Sequence, residues 1–168
     1  MWCEFLYVIL AYFEALRKNE TIYDILIPAI IAFASFIYTI LSHNNTIQID
    51  FINEVMPFVG TLLGFTLAAL TLLLSNTRIE GKTRSFPTKR EIHGNTITMY
   101  EFLVVLFSYL IVFESILCIL YYAAYLFPIK INGVLVQVCY TIFIGGIFHI
   151  LFLTLRIASN LYHITIRR

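Results

Sequence analysis

The chain has 168 residues, of which 60% are hydrophobic and 12% charged, and its mean hydropathy is +0.87. Soluble domains are typically about half apolar, so this composition excludes a soluble globular fold. The net charge of +1 does not indicate nucleic-acid binding. Three cysteines without C-x-x-C or Cys/His spacing predict neither a metal site nor a disulfide framework, and no cofactor is predicted.

The chain begins with an apolar segment that is too short to cross a membrane. Residues 5–13 are continuously apolar but cover only nine positions, between Glu4 and Glu14, whereas a spanning helix needs about 20. Residues 1–20 are therefore predicted to form an amphipathic helix on the membrane interface or against a neighbouring protomer. Three aromatic side chains suit the level of the lipid headgroups, namely Trp2, Tyr7 and Tyr12.

Four longer apolar runs follow, and each can cross the ~30 Å hydrocarbon core. Their predicted bounds are residues 22–42, 51–75, 100–127 and 134–156. Inside lipid every backbone amide must be bonded within its own segment, so the runs should be helices. The predicted fold is an all-α membrane protein: one four-helix transmembrane domain over residues 21–168, preceded by the interfacial helix. No room is left for a soluble catalytic domain.

The basic residues predict the orientation of these helices. Of the eleven Lys and Arg residues, only Lys130 lies in the gap after the first or the third span. The positive-inside rule therefore places both termini in the cytoplasm, in a multi-pass protein of the cell (inner) membrane. It also makes residues 76–99 a basic cytoplasmic loop. Its cations are candidates for contact with a partner or with lipid: Arg78, Lys82, Arg84, Lys89 and Arg90.

Small and polar residues recur every three or four positions in the first two spans, which places them on one helix face. The first stripe contains Asp24, Pro28, Ala32, Ser35, Thr39 and Ser42. The second contains Gly60, Gly64, Ala68, Thr71 and Ser75. Small residues four apart let membrane helices approach closely. Two interpretations stay open: packing within the monomer, or lining of a water-filled axis in an oligomer.

The third span contains a carboxyl group near its centre. Glu114 is predicted about 18 Å from the cytoplasmic end, at 1.5 Å per residue. An ionised carboxylate at that depth costs several kcal/mol unless it is paired or hydrated, so it marks a functional hypothesis. Its candidate partners are Ser108, Ser115 and His149. Either the carboxyl is protonated and buried, or it faces a pore.

Arg156 and His163 are separated by six residues and match the R-x(4–6)-H pattern of HEPN ribonucleases. Seven positions are two helical turns, so both side chains would share a face. They are the candidate catalytic residues. The pattern has little specificity, however, and an arginine at the mouth of a last span is expected for topology alone. An enzyme is therefore not predicted.

Several segments carry a resemblance to a known family. The sequence GTLLGFTLAALTLLLS at residues 60–75, the basic loop, residues 97–102 and 107–110, and the Arg156/His163 pair together resemble the small membrane accessory proteins of type VI-B CRISPR loci. The resemblance implies a homo-oligomeric membrane pore that depolarises an infected cell and so strengthens an RNA-guided, RNA-cleaving effector. The implied partners are further copies of the chain, membrane lipids and, indirectly, that effector or its RNA.

The leading hypothesis is accordingly a non-enzymatic pore or membrane-perturbing protein of prokaryotic antiviral defence. A lone four-helix bundle has little interior for a conduit, so this function requires an oligomer. The alternative is a membrane anchor or sensor that recruits a soluble partner through the basic loop. The third is a HEPN-like ribonuclease at the cytoplasmic face.

Overall fold

A computed structural model of the chain describes residues 2–42, 46–75, 81, 86–126 and 133–166. Its helices are α1 (Trp2–Ala15), α2 (Lys18–Thr21), α3 (Ile27–Ser42), α4 (Thr46–Ser75), α5 (Met99–Leu126) and α6 (Gly133–Ile166). A π-helical turn (Ile22–Leu26) joins α2 to α3, and a hairpin of β1 (Pro87–Ile92) and β2 (Asn95–Thr98) precedes α5.

Four helical segments are long and apolar enough to cross a membrane: Lys18–Leu41, Asp50–Ser75, Met99–Ala124 and Gln137–His163. They confirm the predicted all-α membrane fold with four spanning helices. The first span begins earlier than the predicted residue 22, because α2 and the π-helical turn continue into α3 without a break.

The N-terminal segment is helical, as predicted, but it is half embedded in the protein. Tyr12 is completely buried against α5, so the expectation that it lies among headgroups is wrong. The opposite side of α1 exposes Leu6 and Leu10 by 60% and 57%. Tyr7 is also exposed. The helix therefore presents one apolar face to the bundle and another to its surroundings.

The predicted basic loop contains a β-hairpin that packs on α1. The two-residue turn His93-Gly94 has positive φ values of 51° and 76°, the sign that type I′ hairpin turns require. At its tip, the backbone N–H of His93 donates to Glu14 over 2.9 Å. After β2, the hydroxyl of Thr98 accepts from the Glu101 N–H and the Glu101 carboxylate accepts from the Thr98 N–H. This capping box starts α5.

Close helix contacts are made where side chains are small. A Cβ added to Gly145 of α6 would lie 3.1 Å from the Cβ of Ala32 on α3. At Gly146 it would lie 2.9 Å from Leu117 on α5. The two glycines thus let α6 fit between α3 and α5. Pro28, Ala32 and Thr39 of the first stripe are buried, so these three residues pack within the monomer.

Helix α4 runs antiparallel to α5. Thr66 of α4 contacts Glu114 of α5, and Asn53 accepts a hydrogen bond from Tyr121 over 3.0 Å. The first residues of α4 therefore lie far from the hairpin. We call the end of the bundle that carries α1 and the hairpin the hairpin end.

Candidate functional site

A network of buried and half-buried polar side chains joins six elements at the hairpin end: α1, α2, the π-helical turn, β1, α5 and α6. We call it the Asp24 cluster, and it consists of Tyr12, Glu20, Asp24, Arg90, Tyr109, His149 and Arg156. Asp24 is almost fully buried, with only 1% of its surface exposed. It lies on the same helix face as Pro28 and Ala32, which pack towards α6.

The carboxylate of Asp24 accepts two hydrogen bonds on one oxygen. Tyr12 of α1 donates its phenol O–H to Oδ2 over 2.9 Å. Arg156 of α6 donates from Nη1 to the same atom. Burial, and next the negative charge of Asp24, raise the pKa of Tyr12, so the phenol remains a hydrogen-bond donor. Asp24 thereby links the N-terminal helix to the last span.

The backbone of Asp24 is also engaged, for a reason that is visible in the sequence. Pro28 has no N–H to donate to the carbonyl oxygen four residues earlier. Nδ1 of His149 contacts that oxygen instead. Because a carbonyl only accepts, Nδ1 is the donor of this contact, and Nε2 lies 3.0 Å from the Tyr109 hydroxyl. The two contacts hold the His149 ring between the first span and α5.

Glu20 bridges the two arginines of the cluster. Arg90 on β1 binds both carboxylate oxygens, with Nη1 2.6 Å from Oε2, the bidentate arrangement that suits a guanidinium. Nη2 of Arg156 lies 2.6 Å from Oε2. Nη1 of Arg90 also donates over 2.8 Å to the carbonyl of Ala15, the last residue of α1. The hairpin is thus tied to the end of α1 and to the first span.

The ring of Phe102 on α5 lies beneath both guanidinium groups. The Cζ atoms of Arg90 and Arg156 are 3.8 Å and 5.4 Å from its centroid, within the range of cation–π attraction. The charges of the four ionised groups, Glu20 and Asp24 against the two arginines, sum to zero. Buried charges are tolerated when paired in this way, and removal of one partner typically costs about 3–5 kcal/mol.

Aromatic stacking places Tyr12 in the cluster. Its ring lies 3.8 Å from that of Tyr109, at an interplanar angle of 9°. His149 packs edge-on against Tyr109 and Phe113. These contacts hold α1 against α5 and α6 beside the ion pairs of the Asp24 cluster.

Glu114 lies inside the bundle, between α4 and α5. Its side chain is fully buried, and the Thr66 hydroxyl approaches Oε1 at 3.4 Å. Oε2 has no hydrogen-bond partner within the described part of the chain. The predicted partner His149 contacts Tyr109 and the Asp24 backbone instead. The prediction that Glu114 faces a pore is therefore wrong, because the side chain lies inside the protomer. The alternative prediction of a buried carboxyl agrees with this geometry.

The second small-residue stripe faces outwards. Around Gly60 and Gly64, nothing lies within 4 Å of an added Cβ, so packing of this stripe inside the monomer is wrong. The exposed surface is longer than the sequence stripe and contains no large apolar side chain. We call it the outer α4 face, and it consists of Asp50, Asn53, Pro57, Gly60, Thr61, Gly64, Ala68, Thr71 and Ser75.

The remaining candidate residues are dispersed. Lys89 is exposed on β1, but Arg90 is buried and ion-paired, so its predicted role in partner or lipid contact is wrong. Arg78, Lys82 and Arg84 lie outside the described residues. Ser35 accepts on its carbonyl from Thr39 over 2.6 Å. That bond stays within one helix.

The two candidate catalytic residues occupy different environments. The guanidinium of Arg156 is held by Asp24 and Glu20 and is 13% exposed. His163 is exposed, and its ring contacts Tyr162 at 5.9 Å. In the described ranges, no three His, Cys, Asp or Glu side chains come together as a metal site. Arg156 thus belongs to the ion-pair network of the Asp24 cluster, whereas His163 lies outside it.

The sequence did not identify three members of the Asp24 cluster as parts of a polar network: Glu20, Tyr12 and Tyr109. One signal was available: Pro28 frees the carbonyl of Asp24, and an acid in the first turn of an apolar span requires a partner. The identity of that partner depends on which helices are neighbours, which spacing along one helix does not reveal.

Comparison of the chain with protein-family models, with curated proteins and with solved structures finds no significant similarity.

Proposed function

We propose that the chain is a non-enzymatic, homo-oligomeric membrane pore whose conducting path is lined by the outer α4 face. That face is the observation that supports the proposal. Lipid-facing positions of spanning helices are normally occupied by large apolar side chains. Contact with hydrocarbon does little to stabilise glycine, proline, threonine or aspartate at such positions. An outward polar and small face along a whole span is typical of a helix that borders water or another helix.

The neighbouring face of α4 has the opposite character. Phe58, Phe65 and Leu72 are exposed there at intervals of seven residues, which suits lipid or a neighbouring protomer. The hydroxyls of Thr61 and Thr71 donate to carbonyls of their own helix at 3.1 Å and 2.9 Å. The outer α4 face can therefore exist in a single protomer before assembly.

The orientation and the setting are further parts of the proposal. The Lys and Arg distribution favours a cytoplasmic hairpin end, with Asp50 and Glu54 near the opposite mouth. Carboxylates at a pore mouth favour cations. The resemblance to CRISPR-associated membrane proteins supports a role in prokaryotic antiviral defence, in which cation flow depolarises an infected cell and enhances an RNA-guided effector.

Conductance in planar bilayers tests the pore. The purified chain should pass a cation-selective current, and Gly64→Phe should reduce it at least tenfold because a ring would fill the path. The control is Phe65→Trp, which adds bulk one residue later on the adjacent apolar face and should conduct normally. Silent bilayers with intact oligomers, or a monomeric mass in mild detergent, would refute the proposal.

A further inference from the structure

An opening lies at the hairpin end, on the outside of the Asp24 cluster. It is a cleft of about 320 Å³ between the start of the first span and the last turns of α6. Tyr23 forms one wall, and Phe152, Ser159 and Asn160 form the other. Arg156 and its two carboxylate partners, Glu20 and Asp24, also line the cleft. The pore proposal does not use this cleft.

The cleft is lined by a donor that lacks an acceptor. Nδ2 of Asn160 is inaccessible to solvent and has no hydrogen-bond partner in the described part of the chain. Arg156 is already engaged there, since its Nη2 lies 2.6 Å from Glu20 Oε2. A buried donor without an acceptor carries a free-energy cost. A ligand that supplies oxygen acceptors at this position would remove that cost.

The surroundings of the cleft indicate which ligand carries those oxygens. Tyr23 and Tyr162 are 61% and 62% exposed, as aromatic residues at the level of lipid headgroups are. Leu26 and Leu155, one turn or more further into the spans, are also exposed. A molecule in the cleft would thus have a polar part against Asn160 and an apolar part along these leucines.

We propose that this cleft binds the phosphodiester headgroup of a membrane phospholipid, with its acyl chains along Leu26 and Leu155. Phosphate oxygens accept from Asn160 Nδ2 and from the Ser159 hydroxyl, beside the ion-paired guanidinium of Arg156. The four ionised groups of the Asp24 cluster balance one another. The charge of an anionic headgroup is offset by Arg17 and Lys18, which are exposed at the start of α2, since basic side chains near a membrane attract anionic lipid.

Native mass spectrometry of the full chain in detergent, with dioleoylphosphatidylglycerol as the probe, tests this site. One lipid per protomer should be retained, and Asn160→Leu should weaken its binding about tenfold, as expected for a lost hydrogen bond to a charged group. The control is Thr154→Val on the same helix, since the Thr154 hydroxyl donates to the Ile150 carbonyl and lies outside the cleft. Equal retention by wild type and Asn160→Leu would overturn the proposal.

Two further probes separate phosphate recognition from its alternatives. Dioleoylglycerol has the same tails without phosphate, and its equal retention would show a purely apolar contact and overturn the proposal. Displacement of the lipid by inorganic phosphate would identify a site for a soluble anion and would also overturn it. If Asn160→Leu does not fold, Ser159→Trp at an exposed position fills the cleft mouth. Loss of the retained lipid in that variant supports the site, and unchanged retention refutes it.

Discussion

The carboxylate of Asp24 accepts a hydrogen bond from the guanidinium of Arg156, which lies 132 positions later in the chain. This pair joins the first spanning helix to the last, and Tyr12 joins α1 to the same oxygen. Glu20 then connects the pair to Arg90 on the hairpin. Helix α1, the first and last spans and the hairpin thus meet in one neutral, largely buried network.

The Asp24–Arg156 pair should be strongly coupled. We expect Asp24→Asn to lower the stability of the protein by about 3–5 kcal/mol, because it leaves a buried guanidinium without its nearest counter-charge. Asp24→Asn combined with Arg156→Gln should recover much of this loss, since neither charge remains. Thermal unfolding in detergent measures the coupling. Additive losses in the double variant would show that the two side chains act independently.

Arg90 should hold the hairpin on the bundle. In Arg90→Met the apolar stem still covers Phe102, but the bonds to Glu20 and Ala15 are lost. We expect limited proteolysis to cleave the hairpin several-fold faster, because its open state becomes more populated. Lys89→Met is the matched control, since Lys89 is exposed on the same strand. Equal cleavage rates in the two variants would contradict this anchoring role.

Tyr12 should make the docking of α1 sensitive to high pH. Burial and Asp24 raise the pKa of its phenol above the usual value of about 10. A raised pKa in the folded state means that stability is fully present below about pH 10 and falls as the pH rises beyond it. We expect Tyr12→Phe to be about 1 kcal/mol less stable at pH 7 and to show a shallower decline above pH 10. Unfolding curves between pH 8 and pH 11 check both effects. If stability declined equally steeply above pH 10 in the wild type and in Tyr12→Phe, the phenol of Tyr12 would not be the source of the pH dependence.

Glu114 should contribute little to conduction. Its side chain faces Thr66 inside the bundle, and one weak hydrogen bond does not stabilise an anion there. We therefore expect a neutral carboxyl, and Glu114→Gln should leave both the current and its ion selectivity unchanged. Planar-bilayer recordings beside the Gly64→Phe variant provide the comparison. A changed selectivity would place the carboxyl on the ion path.

Arg156 and His163 should behave differently when substituted. Arg156→Ala removes the counter-charge of Asp24 and Glu20, so we expect a loss of about 3–5 kcal/mol. His163→Ala alters an exposed side chain, which typically changes stability by less than about 0.5 kcal/mol. In a ribonuclease, by contrast, either substitution would abolish RNA cleavage in a folded protein. A cleavage assay with both purified variants distinguishes a structural arginine from a catalytic pair.

Part of the candidate site could be predicted because its signal is local. Glu114 is conspicuous within an apolar run, and the small-residue stripes follow from helical spacing. Their directions could not be predicted from that spacing. Both stripes have the same periodicity, yet Ala32 packs against Gly145 while Gly60 and Gly64 face outwards. Periodicity identifies a face but not what lies opposite it.

The chain's hydropathy alone determined that four helices cross a membrane, because in lipid each segment must satisfy its own backbone hydrogen bonds whatever its neighbours are. Only the tertiary structure decided that Arg90 is a buried anchor, that Tyr12 leaves the interface, and that Asp24 finds Arg156. Such pairs depend on the relative positions of elements far apart in the chain. Those positions result from the close fit of α3, α5 and α6 around Gly145 and Gly146.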